Sequence, residues 1–363
     1  MKRIGIVAPS SVIPQIELRM GVERIRQDGF EVDVHPQCRK KYLFFAGTDQ
    51  ERAQAFFDYA TSPEHSVLWC ARGGHGAIRL LPILDRMSED LVRSAHGNPD
   101  RGNLGQGQSG RGTPIQSIIP KKLLVGYSDA TALMEYVRQK WGWSTLHAPM
   151  PSLRKYSILP DHDLGVLSAW IKKMPAEARW VKKRLDFWTT PPLAEINAPL
   201  VGGNLTVWNC LLGTNYEARA KGCILFFEDV DENLYRIDRM LHHLALTQSI
   251  QGVRAVVLGS FLNCKDYCPS VLKSMPPAKA RKRAIESPKP GELKPLRKVF
   301  KEAKALRQIF TEWGERLKIP VAYGLPVGHG PDFAPMPLGL SAEYSLSRDG
   351  YLKLRQWDWL NAP

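Results

Sequence analysis

The run Gly126-Tyr127-Ser128-Asp129-Ala130 is where residue types and spacing first suggest chemistry. It follows the short apolar stretch Leu123-Leu124-Val125 and leads into Thr131-Ala132-Leu133, in a helix-forming register. A strand that turns sharply into a helix at Gly-x-Ser-x-small lifts a hydroxyl clear of the backbone, with free helix N–H groups behind it. Small residues must flank such a serine, because larger side chains would clash in so tight a turn. Gly126 and Ala130 hold those places, one methyl away from Gly-x-Ser-x-Gly. A plainer reading of the same residues is that Ser128 or Asp129 caps the helix that follows.

Nucleophilic hydrolysis also needs a base of near-neutral pKa, an acid that orients it, and N–H donors for an oxyanion. His329 lies between Gly328 and Gly330, just past the apolar run from Ile319. The flanking glycines leave such a histidine room to approach another group. Glu228 stands at the end of the apolar run Cys223-Ile224-Leu225-Phe226-Phe227, an expected buried strand. Arg72-Gly73-Gly74-His75-Gly76 follows another expected strand, Ser66 to Ala71. A glycine pair there lets backbone N–H groups face a ligand, as at the strand ends of open α/β sheets. It also serves as an ordinary tight turn, and with no Gly-Lys-Ser/Thr following it is not a P-loop. The chain order Ser128, Glu228, His329 is one of several that have converged on a triad geometry. Spacing alone leaves open whether the three meet. His147, in Thr145 to Pro151, reads as a structural histidine.

An α/β framework has to position these groups. Arg3 to Ala8, Phe30 to His35 and Ser66 to Ala71 read as strands. Helices at Ile16 to Asp28 and Asp49 to Ala60 separate them, the opening of a parallel βα sheet. Ala77 to Leu84 and Thr131 to Lys140 are expected helices. Leu200-Val201-Gly202-Gly203-Asn204-Leu205 reads as a glycine-bearing turn before a helix at Thr206 to Gly213. Tyr235 to Leu246 follows as a helix, Ala255 to Gly259 as a strand, and Ala342 to Leu346 as a closing strand. The fold class is α/β: an N-terminal parallel-sheet domain over 1–152, a linker over 153–190, and a smaller mixed domain over 191–363. Residues 94–120, rich in Gly, Asn, Gln and Ser, read as a mobile surface loop.

Composition bounds the alternatives. The 363 residues suffice for two ordinary domains, and a 44% hydrophobic content with ten tryptophans suits large buried cores. The net charge of +14 invites a nucleic-acid reading. Residues 273–307, however, hold twelve Lys or Arg against three Glu, so nine of the net charges belong to that one segment. Its prolines at 276, 277, 288, 290 and 295 argue against continuous helix, but Leu296 to Phe310 fits a basic amphipathic one. Cys70, Cys210 and Cys223 read as buried thiols, and Cys264 with Cys268 lacks the partners of a zinc site. The apolar start stops at Pro9-Ser10-Ser11, too short for an export signal, and no run approaches a membrane span. A cytoplasmic protein is expected.

Five pieces, in order along the chain, resemble the LD-carboxypeptidase family of serine peptidases, which includes muramoyltetrapeptide carboxypeptidases and microcin C immunity peptidases. They are Ile6-Val7-Ala8-Pro9-Ser10; Ala71 to Ala77 with Arg79-Leu80-Leu81; Gly126-Tyr127-Ser128-Asp129; Phe227-Glu228-Asp229-Val230 with Tyr235 to Leu241; and Pro326-Val327-Gly328-His329-Gly330. The resemblance implies Ser128 as nucleophile, Glu228 as acid and His329 as base, with oxyanion donors from the backbone of Asp129 and of Gly73-Gly74. It implies removal of the terminal D-alanine from murein tetrapeptides, at a site between two domains, usually in a homodimer, with no metal or organic cofactor. An exopeptidase must also hold a free carboxylate, and Arg72 is the candidate; otherwise it forms a surface ion pair. The rival within the family is an amidase of the microcin C immunity type, acting on peptidyl or aminoacyl nucleotides. A non-catalytic protein binding nucleic acid or cell wall through 273–307 is the rival from another class; nucleic acid is not an expected partner. Segments 94–120 and 273–307 match no motif of the family and read as insertions.

Overall fold

The structure is a computed structural model, and it describes residues 3–95, 115–153, 156, 159, 161–172, 182–265, 297–331 and 333–360. The first half alternates strand and helix. The strands are β1 (Arg3–Val7), β2 (Glu31–Val34), β3 (His65–Cys70), β4 (Leu123–Gly126) and β5 (Ser144–His147). Between them come α1 (Gln15–Gln27), α2 (Asp49–Thr61), α3 (Leu81–Ala95) and α4 (Thr131–Tyr136). β1 lies between β2 and β3, β3 between β1 and β4, and every pair from β2 to β5 is parallel. The runs Val67 to Cys70 and Leu123 to Val125 are buried without alternation. Such runs mark parallel strands covered on both faces. α2 opens with a reciprocal capping box between Thr48 and Glu51, which satisfies two otherwise orphaned N–H groups.

The second half carries α5 (Asp161–Lys172), β6 (Lys182–Arg184), β7 (Asp186–Phe187), β8 (Ile196–Asn204), α6 (Leu205–Asn209) and β9 (Ile224–Val230). α7 (Leu234–Leu246), β10 (Ala255–Leu262), α8 (Arg297–Leu317), β11 (Val321–Tyr323), β12 (Met336–Leu346) and β13 (Tyr351–Trp357) follow. β8, β9, β10 and β11 are parallel neighbours. β12 runs antiparallel to β5 on one side and to β8 on the other. One 13-stranded sheet results, in the order β2-β1-β3-β4-β5-β12-β8-β9-β10-β11-β7, with β13 and β6 paired beyond β12. Reversal at β12 has a simple geometric consequence. Both parallel sets point the same way, so the carboxyl ends of β3, β4, β9 and β10 share one edge, the edge where open α/β sheets bind ligands.

The expected α/β class holds, and several elements differ in extent. Gly202 and Gly203 sit inside β8 rather than in a turn, at φ 137° and 159°. A Cβ on Gly202 would stand 1.9 Å from the Phe226 carbonyl oxygen, and one on Gly203 2.6 Å from Thr131 Oγ1. The glycines serve close approach of neighbouring backbone and α4. The helix expected to stop at Leu84 continues to Ala95, so the segment assigned to a loop begins inside α3. Residues 96–114 of it lie outside the described residues. At its far end Ile115–Ser117 forms a 3₁₀ turn and Ile119 is fully buried. Cys70 and Cys223 are buried as expected, but Cys210, just past α6, is exposed. Cys268 and residues 273–296 are outside the described residues.

The remainder of the basic segment is helical. It belongs to α8, whose Leu306, Phe310 and Trp313 are buried. Phe310 packs edge-on against Phe261 of β10 at 5.2 Å, and Trp313 Nε1 donates to the Leu241 carbonyl of α7 at 2.7 Å. The amphipathic helix expected there is present, and its apolar face belongs to the core. Phe310→Ala is expected to lower unfolding free energy by about 3–5 kcal/mol, whereas Arg307→Ala on the exposed face should stay within about 0.5 kcal/mol. Equal, small effects in urea denaturation would contradict the docking of α8.

Candidate active site

Ser128 sits where β4 becomes helix. Tyr127 is extended, and Ser128 adopts φ 60°, the left-handed region. That conformation is uncommon for a residue with a Cβ, and such strain collects at working sites. A 3₁₀ turn over Ser128–Ala130 passes directly into α4. A Cβ on Gly126 would lie 3.0 Å from the Ala130 methyl and 3.3 Å from Cys70 Cβ. This is the crowding that the small residues on either side of the serine relieve. The hydroxyl-bearing residue itself is half-buried.

The Gly73-Gly74 turn packs on this serine. A Cβ on Gly73 would stand 3.1 Å from Ser128 Cβ and 3.3 Å from its Oγ. Gly74, at φ 105°, passes so close to Ser11 that a Cβ would meet its Oγ at 2.2 Å. Ser11 N donates to the Gly73 carbonyl at 3.3 Å, and Ser11 Oγ accepts from His75 N at 3.2 Å. The sequence points to Asp129 chiefly for its backbone. Its buried carboxylate in fact accepts the Ala77 N–H at 2.8 Å, stapling the glycine turn to the serine turn. Arg52, fully buried and unflagged by its helical surroundings, donates to the Gly76 carbonyl at 3.0 Å and to the Pro9 carbonyl, and pairs with Asp49. Its guanidinium lies 4.6 Å over the Phe45 ring. Arg72 is half-buried, with Nη1 donating to the Val12 carbonyl at 2.9 Å. Among the described residues it has no carboxylate partner within ion-pair distance.

Glu228 lies inside β9 and has no exposed surface. His329 Nδ1 meets its Oε2 at 2.7 Å, and the His329 backbone N–H donates to the same oxygen at 3.2 Å. Asn204 stands opposite Glu228 in the β8–β9 register, and its Nδ2 donates to Oε1 at 3.3 Å. Burial pushes the Glu228 carboxyl upward, but hydrogen bonding and charge from His329, with help from Asn204, hold it below the usual glutamate range. An ionised carboxylate can only accept, so the proton between the pair resides on His329 Nδ1. Nε2 is then left with a lone pair that can take a proton. Neighbouring Asp229 behaves in the opposite way. Burial, then the Glu228 charge, raise it to about 6, despite donation from Thr206, Val230 and Asn204.

Glycines again set the approach. A Cβ on Gly328, at φ 110°, would be 2.7 Å from both Glu228 Oε2 and Ser260 Oγ. Ser260 Oγ in turn accepts the Gly330 N–H at 2.8 Å. Glu228 and His329 are thus in direct contact. No hydrogen bond joins Ser128 to His329 among the described residues; the link is Tyr127, adjacent to the serine, whose ring centroid is 4.9 Å from that of His329. Catalytic hydrogen bonds are often long without substrate. Asn204, Ser260, Tyr127 and Arg52 escape a reading of the sequence, and only a three-dimensional partner gives any of them meaning.

The arrangement brings a strained serine, a histidine with a buried acid on its far nitrogen, and a glycine turn to one sheet edge. Two family models match the chain. Residues 4–148 match the LD-carboxypeptidase N-terminal domain, and residues 197–344 match the C-terminal domain. The murein tetrapeptide carboxypeptidase of Pseudomonas aeruginosa is 25% identical over 353 residues, 94% of this chain and 92% of that protein. The crystal structure of a muramoyltetrapeptide carboxypeptidase from Oxalobacter formigenes superposes with a TM-score of 0.67 at 23% identity, covering 99% of each chain. Wild-type microcin C7 self-immunity protein MccF in its apo state gives 0.68 at 19% identity, over 99% of this chain and 97% of that one. At such identities the two structures speak for the fold.

A strong Nδ1–H to carboxylate hydrogen bond gives a downfield imidazole proton resonance. Gly328→Ala is expected to abolish it, because the added methyl has no room between Glu228 and Ser260. An unchanged resonance in that variant would contradict the packing described.

Proposed function

The chain belongs to the LD-carboxypeptidase family, serine-type carboxypeptidases, and we propose that Ser128, His329 and Glu228 are its nucleophile, base and acid. The observation that carries this reading is the 2.7 Å contact of His329 Nδ1 with a fully buried Glu228, on the same sheet edge as the strained Ser128 turn. The proposed substrate is a murein tetrapeptide, whose terminal D-alanine is removed during peptidoglycan recycling. Support for that choice comes from the names of the relatives and the family model.

In this mechanism His329 Nε2 takes the Ser128 proton as Oγ bonds to the carbonyl carbon of the L-to-D amide. The oxyanion is met by backbone N–H groups of Asp129 and of the Gly73-Gly74 turn. A single such donor is typically worth 10²–10³ in kcat. Glu228 stabilises the imidazolium without taking its proton. His329 then protonates the leaving nitrogen, D-alanine departs, and the acyl-enzyme remains on Ser128. Water, deprotonated by His329, attacks the ester and frees the serine. Arg72 holds the substrate's terminal carboxylate. The recycling role carries with it a cytoplasmic location and, by family resemblance, a homodimer. Among the described residues no helix is long and apolar enough to cross a membrane.

The likeness to MccF keeps a second reading in view, an amidase acting on peptidyl or aminoacyl nucleotides with the same triad. Steady-state kinetics on murein tetrapeptide and an aminoacyl sulfamoyl adenosine, side by side, separates the two. Glu228→Gln is expected to lower kcat for D-alanine release by about 10⁴-fold, the scale seen when a triad acid is neutralised. Arg72→Ala should raise KM by about 10- to 100-fold with kcat little changed, since hydrogen bonds to charged groups contribute about 1.5–3 kcal/mol. Full turnover in the first variant removes Glu228 from the triad, and an unchanged KM in the second removes Arg72 from the substrate site.

A further inference from the structure

His147 closes β5, and it has no exposed surface. Among the described residues, neither ring nitrogen has a hydrogen-bond partner on another residue. Among the described residues, three aromatic rings pack on it. Phe333 stacks at 5.5 Å and 13°, while Phe226 and Tyr127 stand edge-on at 5.2 and 5.6 Å. Tyr127 and Phe333 also touch each other, at 4.8 Å, and Tyr127 packs on His329. The box therefore joins the serine turn, the histidine loop and β9, at the strand that hydrogen-bonds both β4 and β12.

Orphaned buried polar atoms are costly, and a phenylalanine would keep the aromatic contacts without that cost. Folds whose local choices otherwise agree tend to break the rules at working sites. Burial pushes the imidazole down to about 4, so at neutral pH the ring is uncharged, with one N–H and one lone pair fixed in dry surroundings. It lies near enough for the charges of Glu228 and His329 both to bear on it, with opposite sign. A fixed dipole in a low-dielectric pocket acts more strongly than in water and needs no reorganisation when charge appears beside it. Charge appears there when His329 takes the serine proton.

We propose that His147 is a positioning residue for His329, providing a preorganised polar group behind the Glu228–His329 pair through the aromatic box. It touches no substrate and exchanges no proton. This inference rests on the roles proposed for Ser128 and His329 but not on the identity of the substrate. A fluorophosphonate probe tests it: Ser128 Oγ bonds to phosphorus, fluoride leaves, and the hydroxyl proton passes to His329. The variants are His147→Phe, His147→Leu and His147→Gln, each with its Tm. His147→Phe is expected to match or exceed the wild-type Tm and to label at least tenfold more slowly. His147→Gln, which keeps a polar group but loses the stacking, should have the lower Tm yet label faster than His147→Phe and His147→Leu. That crossed order is what a packing role does not produce. Labelling rates that follow Tm across the variants, or full labelling in His147→Phe, overturn the proposal. Absence of any Ser128 adduct in the wild type overturns the nucleophile assignment and this inference together. Normal labelling without D-alanine release sinks the murein substrate and leaves the role of His147 standing.

Discussion

A carboxylate with no access to water has to be held ionised by its neighbours, and Glu228 imposes that demand on everything around it. Burying an ion carries a penalty of several kcal/mol, and removing one partner of a buried pair typically costs about 3–5 kcal/mol. Glu228 meets the demand with the ring and backbone of His329 and with Asn204. The donors cannot reach it unless their backbones come unusually close, which is why Gly328 and Gly259 line the approach. A Cβ on Gly259 would lie 2.4 Å from the Val327 carbonyl. Orientation of the imidazole, and with it the availability of Nε2, is thereby settled by the electrostatics of one buried group.

The reversed strand β12 supplies the larger-scale condition. It runs against β5 on one side and against β8 on the other, so the two parallel sets point the same way. Because it opposes both, their carboxyl ends lie along one edge, and residues a hundred positions apart become neighbours. Within that edge the serine turn is stapled to the glycine turn by the Asp129 carboxylate, while Arg52 ties the glycine turn to the Pro9 carbonyl and to Asp49. The Asp129 staple and the packing of Gly73 on the serine side chain hold the strained backbone of Ser128 in place.

Much of this is legible in the sequence. Continuous apolar runs give most of the strands of both parallel sets to within a few residues, and turn glycines flag Ser128, His329 and the residue 73 turn. Glycines also mislead: Gly202-Gly203 looks like a turn because the chain gives no sign that Phe226 backbone will press against a strand. Asn204, Ser260 and His147 are opaque, since each acquires its role from partners twenty or more residues away. Arg52, among polar neighbours on α2, looks like surface, and its carbonyl partners cannot be guessed. The amphipathic character of α8 is legible in Leu296 to Phe310, but what its apolar face meets, Phe261 and the Leu241 carbonyl, is not. Asp129 draws notice for its N–H, although an acidic side chain one residue past a tight turn is well placed to pin a neighbouring loop.

The central claim is that one serine at this sheet edge hydrolyses the terminal amide of a murein tetrapeptide. Mass spectrometry of tetrapeptide muropeptides incubated with wild-type protein and with Ser128→Ala tests it most directly. Loss of one alanine residue, recovered as D-alanine, is expected with wild type and none above background with Ser128→Ala. Unchanged tetrapeptide with the wild type, or equal tripeptide from both proteins, would contradict it.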